Sequence, residues 1–241
     1  MLILGLVTVI VPLGCNGIPS RLGNGTAGSQ PDPATDFSVL YAQNCAACHG
    51  EGGRGGASIA LADPVYLAIA SDEVLHKVIS NGIPGTPMPA FAESAGGFLT
   101  EDQVSALVKG IRGWAAPSEP PAPQPPPYAA SMPGNAQRGA QVFRTFCSSC
   151  HGPDGKGGKK AGSLVDPSYL ALVSNQGLRT LVITGRPEFG FPDWEADLPG
   201  HPMSDEEVTN LVAWLEAQRV PYPGQPYAPS KEGPAAEGGK P

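Results

Sequence analysis

The sequence predicts an all-α protein made of two tandem small helical domains joined by a Pro-rich linker. The chain carries one group of motifs twice, its apolar residues recur at helical spacing, and no run of residues alternates as a strand would. With 241 residues, it is long enough for two domains of about 100 residues each. We expect the domains to span residues 35–116 and 134–219.

The internal repeat is clearest at a cysteine motif followed by histidine. Cys45-Ala-Ala-Cys48-His49 in the first half recurs 102 positions later, from 45 to 147, as Cys147-Ser-Ser-Cys150-His151. Three further pairs follow in the same order, separated only by single-residue insertions: Asp63-Pro64 with Asp166-Pro167, Gly82 with Gly185, and Thr100 with Ser204. Because the order is preserved, the two halves should share one fold.

Helices are indicated at both ends of each half. Apolar residues recur at helical spacing in residues 35–48 and 135–150, which carry the repeated motif. The last helix of each half is indicated by a capping box, formed by Thr100 with Gln103 and by Ser204 with Glu207.

The segments outside the repeats differ from them in composition. Residues 117–133 are rich in proline and predict an extended, semi-rigid spacer between the domains. Residues 220–241 are rich in Pro, Gly and Ala with scattered charges. They predict a tail that is disordered, or ordered only against a partner.

The N-terminus predicts export. Residues 2–13 are almost wholly apolar, and the run is shorter than the roughly 20 residues that a transmembrane helix needs, so residues 1–14 suit a secretory signal peptide. It ends in Gly14-Cys15, which resembles a bacterial lipoprotein processing site. That resemblance implies a lipid on Cys15, with residues 15–34 as a flexible tether to the membrane.

Two features of this segment depart from the lipoprotein pattern. No Lys or Arg precedes Cys15, and Pro12 stands where such sites usually have leucine. The alternative is an uncleaved apolar tail with a free thiol.

The repeated Cys-x-x-Cys-His motif predicts covalently attached haem. Two thiols on one helical turn can each add to a haem vinyl group, and the adjacent histidine can then ligate the iron. A thioredoxin-like pair would lie beside a βαβ pattern, which is absent, and a four-cysteine zinc site would not explain a histidine after each pair. We therefore expect two haem c groups, held by Cys45, Cys48 and His49 and by Cys147, Cys150 and His151.

The surroundings of the motif resemble a known family. An aromatic residue precedes each motif, a Gly-rich stretch and an Asp-Pro-x-Tyr-Leu segment follow it, and a Met-Pro pair stands late in the first domain. This pattern is similar to class I cytochromes c, and in particular to the di-haem cytochromes attached to respiratory oxidases. The resemblance covers residues 35–116 and 134–219. It implies a few helices wrapped around each haem, and a methionine as the second axial ligand of the iron.

The two halves differ at that second ligand. In the first half Met88 stands between two prolines at the position that the resemblance assigns to the ligand, although a core gap-filler is the alternative. In the second half the repeat aligns Phe191 with Met88, and phenylalanine cannot bind iron. We rank Met203 first as the second ligand, although it aligns with Leu99, then an open or water-bound site, then His201.

These observations predict a di-haem electron carrier outside the cytoplasm, anchored to a membrane by lipid. Its expected partners are redox proteins, including a membrane respiratory or photosynthetic complex. The net charge of −7 argues against nucleic acid as a partner. The alternative is a haem enzyme or ligand-binding protein that uses an open site on the second haem, although no clear catalytic acid–base set is present.

Overall fold

The computed structural model describes residues 33–115, 123–195, 198–221 and 223. Over these residues the protein is helical, and β-structure is limited to two isolated bridges. The all-α prediction is therefore confirmed. Residues 1–32, including the predicted signal and Cys15, lie outside the described ranges, as do residues 116–122 and most of the tail.

The helices follow the same order in both halves. In the first domain they are α1 (Phe37–Asn44), α2 (Ala46–His49), α3 (Pro64–Ile69), α4 (Asp72–Asn81) and α5 (Glu101–Arg112). In the second they are α6 (Ala136–Val142), α7 (Ser148–His151), α8 (Pro167–Leu172), α9 (Asn175–Thr184) and α10 (Asp205–Glu216), with a π-helical turn over Phe143–Cys147 between α6 and α7. None of the helices in the described ranges is both long and apolar enough to cross a bilayer.

Side-chain caps begin most of these helices. Both predicted capping boxes are confirmed at α5 and α10, where the cap and the residue three positions later exchange hydrogen bonds with each other's backbone N–H. Ser71 caps α4 and Ser174 caps α9. Asp63 and Asp166 cap α3 and α8, each with a proline at the first helical turn.

The helix that carries each haem motif is not continuous. Cys45 has φ −122° and ψ −37°, which separates α1 from α2, and Cys147 has φ −111° after the π-helical turn. The hydrogen-bond ladder nevertheless continues, since Cys45 N–H donates to the Tyr41 carbonyl at 2.9 Å. The predicted helix over 35–48 is therefore divided into α1 and α2, and the one over 135–150 into α6, the π-helical turn and α7.

The first and last helices of each domain cross at a glycine. A Cβ atom on Gly110 of α5 would lie 2.0 Å from Cδ2 of Phe37 on α1. A Cβ atom on Gly139 of α6 would lie 2.0 Å from the Asn210 carbonyl oxygen on α10. Any larger residue would push the helices apart, so glycine sets the close approach in both domains.

Each domain has its own apolar core. The first core is built around the buried residues Leu40, Tyr41, Leu67, Leu75, Leu99, Val104, Leu107 and Ile111. The second is built around Phe143, Phe146, Leu170, Leu178, Ile183, Trp194, Met203, Val208 and Leu211. The cores touch through α3, because Val65 and Ile69 pack against the second core.

The C-terminal end of the Pro-rich segment is held against the second domain. Arg179 is 3% exposed, and its guanidinium donates to the carbonyl oxygens of Pro127, at 2.7 and 3.0 Å, and of Tyr128, at 3.0 Å. Gln176 also donates to the Tyr128 carbonyl, at 2.8 Å. The Tyr128 side chain packs against the first core. This end of the predicted spacer therefore contacts both domains.

Candidate haem sites

The first Cys-x-x-Cys-His motif places its histidine for metal binding. His49 Nδ1 lies 2.8 Å from the Ile59 carbonyl oxygen. Nδ1 therefore carries the hydrogen and donates it, which leaves Nε2 of a neutral ring with a lone pair for a metal. Burial lowers the pKa of His49, and the hydrogen bond to Ile59 only partly opposes this, so the neutral form is favoured.

The second motif repeats the arrangement. His151 Nδ1 lies 2.7 Å from the Gly162 carbonyl oxygen. A glycine with positive φ follows each histidine, Gly50 at 84° and Gly152 at 80°. At Gly50 a Cβ atom would fall 1.7 Å from the Arg54 carbonyl oxygen, so only glycine permits the turn. Both histidines are thus aimed by the same local backbone.

The first cysteine of the first motif, Cys45, is a buried thiol whose surroundings disfavour the thiolate. None of the four motif cysteines is joined in a disulfide in the described part of the chain. Burial, and secondarily the neighbouring Cys48, raise the pKa of the Cys45 thiol to about 11. A redox Cys-x-x-Cys pair would need a lowered thiol pKa. A protonated thiol can add across a vinyl group, with sulfur on one carbon and hydrogen on the other.

Both motifs therefore fit a covalently bound haem c. Each supplies two thiols on one turn and a histidine with a free Nε2, which is the donor set that the cofactor needs. Within the described ranges, no three His, Cys, Asp or Glu side chains lie close enough to hold a metal ion.

In the first domain, the loop that carries Met88 is fixed by its backbone. Ile83 N–H donates to the Met88 carbonyl at 3.0 Å, and Met88 N–H donates to Thr86 Oγ1 at 3.3 Å. Gly82, with φ 64°, lies so close to this loop that a Cβ atom would be 2.6 Å from the Met88 oxygen. The half-buried Met88 thus lies in a loop that backbone hydrogen bonds hold in place.

In the second domain, Phe191 occupies the place of Met88. Arg186 N–H donates to the Phe191 carbonyl at 3.0 Å, which is the counterpart of the bond from Ile83 to Met88. The Phe191 ring lies nearly parallel to the His151 ring, at 23°, with centroids 6.1 Å apart. The backbone thus supports the alignment that the sequence predicts, and the side chain facing His151 has no metal-binding atom.

Met203 lies in the core of the second domain. It is 1% exposed, and its N–H donates to the Trp194 carbonyl at 2.8 Å. In the first domain Leu99 N–H donates in the same way to the Phe91 carbonyl, at 2.7 Å. Met203 therefore occupies the position of an apolar residue that packs beneath the last helix, which favours a packing role.

His201 lies on the surface beside the start of α10. Its side chain is 54% exposed, and Nε2 lies 3.1 Å from Glu207 Oε1. The ring also meets Phe146 edge-on, at 5.3 Å between centroids. The nitrogen that an iron would need is thus engaged with a carboxylate.

One difference between the sites was not predicted from the sequence. The Tyr41 hydroxyl donates to the Gly50 carbonyl at 2.8 Å, which ties α1 to the turn after the first histidine. Phe143 replaces it in the second domain and stacks on Trp214, with ring centroids 4.3 Å apart. The sequence shows this difference as a tyrosine before the first motif and a phenylalanine, which has no hydroxyl, at the aligned position before the second.

The comparisons with known proteins agree with this geometry. The family model described as "Cytochrome C oxidase, cbb3-type, subunit III" matches residues 32–109 and again residues 134–215. The cbb3-type cytochrome c oxidase subunit CcoP of Azospirillum sp. (strain B510) is 32% identical over 136 residues, which cover 51% of this chain and 40% of the relative. The subunit FixP of Rhizobium meliloti (strain 1021) is 30% identical over 186 residues, which cover 72% of this chain and 56% of the relative.

The chain spans about half the length of the curated relatives it matches. Among solved structures, the Kuenenia stuttgartiensis reducing HAO-like protein complex Kustc0457/Kustc0458 aligns at a TM-score of 0.42 and 19% identity, over 76% of this chain and 96% of that one. The same family model fits both halves of the chain, and together the two matches cover most of it. The chain therefore belongs to the family of the cbb3-type cytochrome c oxidase subunit III.

Proposed function

We propose that the chain carries two covalent haem c groups and passes single electrons between redox partners outside the cytoplasm. The observation that supports this most directly is the paired geometry of His49 and His151. Each fixes Nδ1 on a backbone carbonyl, at 2.8 and 2.7 Å, and keeps Nε2 for the metal. When bound, each haem supplies an iron that gains or loses one electron.

The protein residues position and bury the two sites. The thiols of Cys45 and Cys48, and of Cys147 and Cys150, hold each haem by two thioether bonds. Met88 would supply the second protein ligand of the first iron, and backbone hydrogen bonds hold the loop that carries it. A thioether ligand raises the reduction potential of the iron it binds.

The second site differs in a way that favours an additional function. Because Phe191 stands where the first domain has Met88, we propose that the second iron keeps an open or weakly occupied face. Small ligands such as carbon monoxide or cyanide would bind there. Met203 and His201 are the competing ligands, and their packing and ion pair count against both.

A reciprocal exchange tests this assignment. Phe191→Met should give the second haem the low-spin spectrum of a His/Met site and abolish carbon monoxide binding. Met88→Phe should make the first haem high-spin and reactive toward carbon monoxide. Absorption and magnetic-resonance spectra of each variant, with the unaltered protein as control, measure both changes. Two low-spin His/Met haems in the unaltered protein would refute the open site.

We propose that the electron partners lie at the membrane. Family membership supports a place beside an oxidase of the cbb3 type, as either its subunit or its carrier. The reduced protein should lose its reduced haem bands when mixed with a solubilised cbb3-type oxidase and oxygen. A rate that does not depend on the oxidase concentration would contradict this role.

We further propose that a lipid on Cys15 anchors the chain. The support is the apolar segment that ends in Gly14-Cys15. Cys15→Ser should release the protein from membranes, and mass spectrometry of the native N-terminal peptide should find the acyl groups. An unmodified peptide from a protein that stays membrane-bound would contradict the anchor.

A further inference from the structure

Arg186 connects the loop beside the second haem site to the first haem motif. Its Nη2 donates to the Gly56 carbonyl oxygen at 2.6 Å. Gly56 itself lies on the backbone of the first motif, since a Cβ atom there would be 2.3 Å from the Cys48 oxygen and 2.5 Å from the His49 carbonyl carbon. One side chain thus reaches from the second domain to the glycine that packs against the backbone of the first histidine.

The other end of Arg186 is joined to the second site. Its backbone N–H and C=O both pair with Phe191, at 3.0 Å each. Phe191 is the residue whose ring faces His151. A short series of contacts therefore runs from His49 through Arg186 to His151.

The guanidinium is held in place between these ends. Nε lies 2.7 Å from Glu188 Oε1, the guanidinium carbon lies 4.7 Å from the centroid of the Phe189 ring, and the side chain is only 16% exposed. The repeat aligns Ile83 with this arginine, so the first domain has no counterpart. A charged donor in a fixed fork makes a stronger and more directional hydrogen bond than a neutral one.

We propose that Arg186 is a positioning residue that locks the two domains in the arrangement through which electrons pass between the haems. The inference rests on the proposed di-haem function. In that step one electron leaves the ferrous iron of one domain and reduces the ferric iron of the other, with no bond made or broken and no proton moved. The rate then depends on how constantly the protein holds the two sites together.

Other contacts would keep the domains joined without Arg186. Val65 and Ile69 of α3 pack against the second core, and Tyr128 packs against the first core while its carbonyl binds the second domain. Removing the guanidinium should therefore loosen the arrangement rather than separate the domains.

The first test measures docking without reference to either haem. In the open form, the Tyr128 ring has left the first core and chymotrypsin can bind it. The loss of a hydrogen bond from a charged donor should raise the population of this form, so cleavage after Tyr128 in Arg186→Met should accelerate by about tenfold or more. The matched control is Arg138→Met, which removes an exposed ion pair with Glu206 in the same domain. Unchanged cleavage in Arg186→Met would overturn the locking role.

The second test measures electron transfer between the haems in the full-length protein. After pulsed reduction of one haem, the rate in the unaltered protein should not depend on solvent viscosity. In Arg186→Met it should be slower and should fall as glycerol is added, because redocking then limits the step. Measuring both midpoint potentials separates this effect from a change in driving force. A rate that stays fast and independent of viscosity would overturn the proposal.

Two controls keep these outcomes distinct. Mass spectrometry counts the haems, so a chain with fewer than two haem adducts would refute the proposed function. The cleavage rates would still test whether Arg186 holds the two domains together. If Arg186→Met does not fold, Glu188→Gln removes the charge that holds the guanidinium and should produce a smaller change in the same direction. If both single variants fold and neither changes the cleavage rate or the electron-transfer rate, the positioning role is refuted.

Discussion

Replacing Arg179 with methionine should destabilise the second domain strongly. The guanidinium is 3% exposed and donates to the Pro127 and Tyr128 carbonyls, to Thr209 Oγ1 at 3.0 Å and to the Asp205 carboxylate. Methionine keeps the apolar stem of the side chain and removes every donor. Gln176 would still donate to the Tyr128 carbonyl and Ser131 to Asp205, so the loss falls on the Pro127 carbonyl and on the charge of the largely buried Asp205. Breaking a buried ion pair from one side costs about 3–5 kcal/mol.

The neighbouring pair provides the matched control. Arg138 and Glu206 form an ion pair at 2.7 Å with side chains 67% and 50% exposed, and such pairs contribute about 0–1 kcal/mol. Glu206 follows Asp205 directly in α10. Arg179→Met and Arg138→Met therefore each remove the arginine partner of one of two adjacent carboxylates. Arg138→Met should therefore leave the domain almost unchanged.

Amide hydrogen exchange of α9, measured by mass spectrometry, reports the free energy of opening in this domain alone. Protection in Arg179→Met should fall by about two to four orders of magnitude, the ratio that corresponds to about 3–5 kcal/mol. Burial raises the pKa of Asp205, but hydrogen bonds from Ser131 and Arg179 outweigh it and hold that pKa below its usual value. The stabilisation should thus persist at neutral pH and be lost as the pH falls through the folded-state pKa. Equal exchange in the Arg179 and Arg138 variants would refute the reasoning.

Three further predictions concern the sites and their support. Met203→Leu should cost less than about 1.5 kcal/mol and leave both haem spectra unchanged, whereas loss of a low-spin signal would make Met203 a ligand. Burial raises the pKa of Asp63 in the folded protein. The contribution of Asp63 to the free energy of unfolding is therefore greatest below the unfolded-state pKa of about 3.9, and it is lost as the pH rises through the folded-state pKa. Asp63→Asn keeps the helix cap, and its stability relative to the unaltered protein should rise between pH 4 and 7 in urea unfolding. An equal difference at both pH values would contradict this. Replacing Cys147 and Cys150 with alanine should remove one haem mass and leave the first domain folded, and a chain that keeps both haems would disprove the attachment.

Much of the fold was predictable because local signals determine it. The capping boxes at Thr100 and Ser204 are contained within a few residues, and both form. The same is true of α3, α4, α8 and α9, which were not among the predicted helices. Each begins at a side-chain cap that the sequence displays, such as Asp63 before Pro64.

The contacts between distant segments were not predictable in this way. Nothing near Arg179 in the sequence indicates that it binds carbonyls more than 50 residues earlier, at Pro127 and Tyr128. The repeat did contain one usable signal, since the alignment of Arg186 with Ile83 puts a charge where the first domain has an apolar side chain.

The binding of Arg179 to the end of the Pro-rich segment determines where the chain can be divided. A second domain produced from residue 134 onward would contain the whole repeat but would leave the guanidinium facing two missing carbonyls. One that begins at residue 123 would bring Pro127 and Tyr128 with it, together with Ser131, whose hydroxyl donates to Asp205. The second domain should therefore be more stable when it begins at residue 123 than when it begins at residue 134, although only the later start matches the repeated unit.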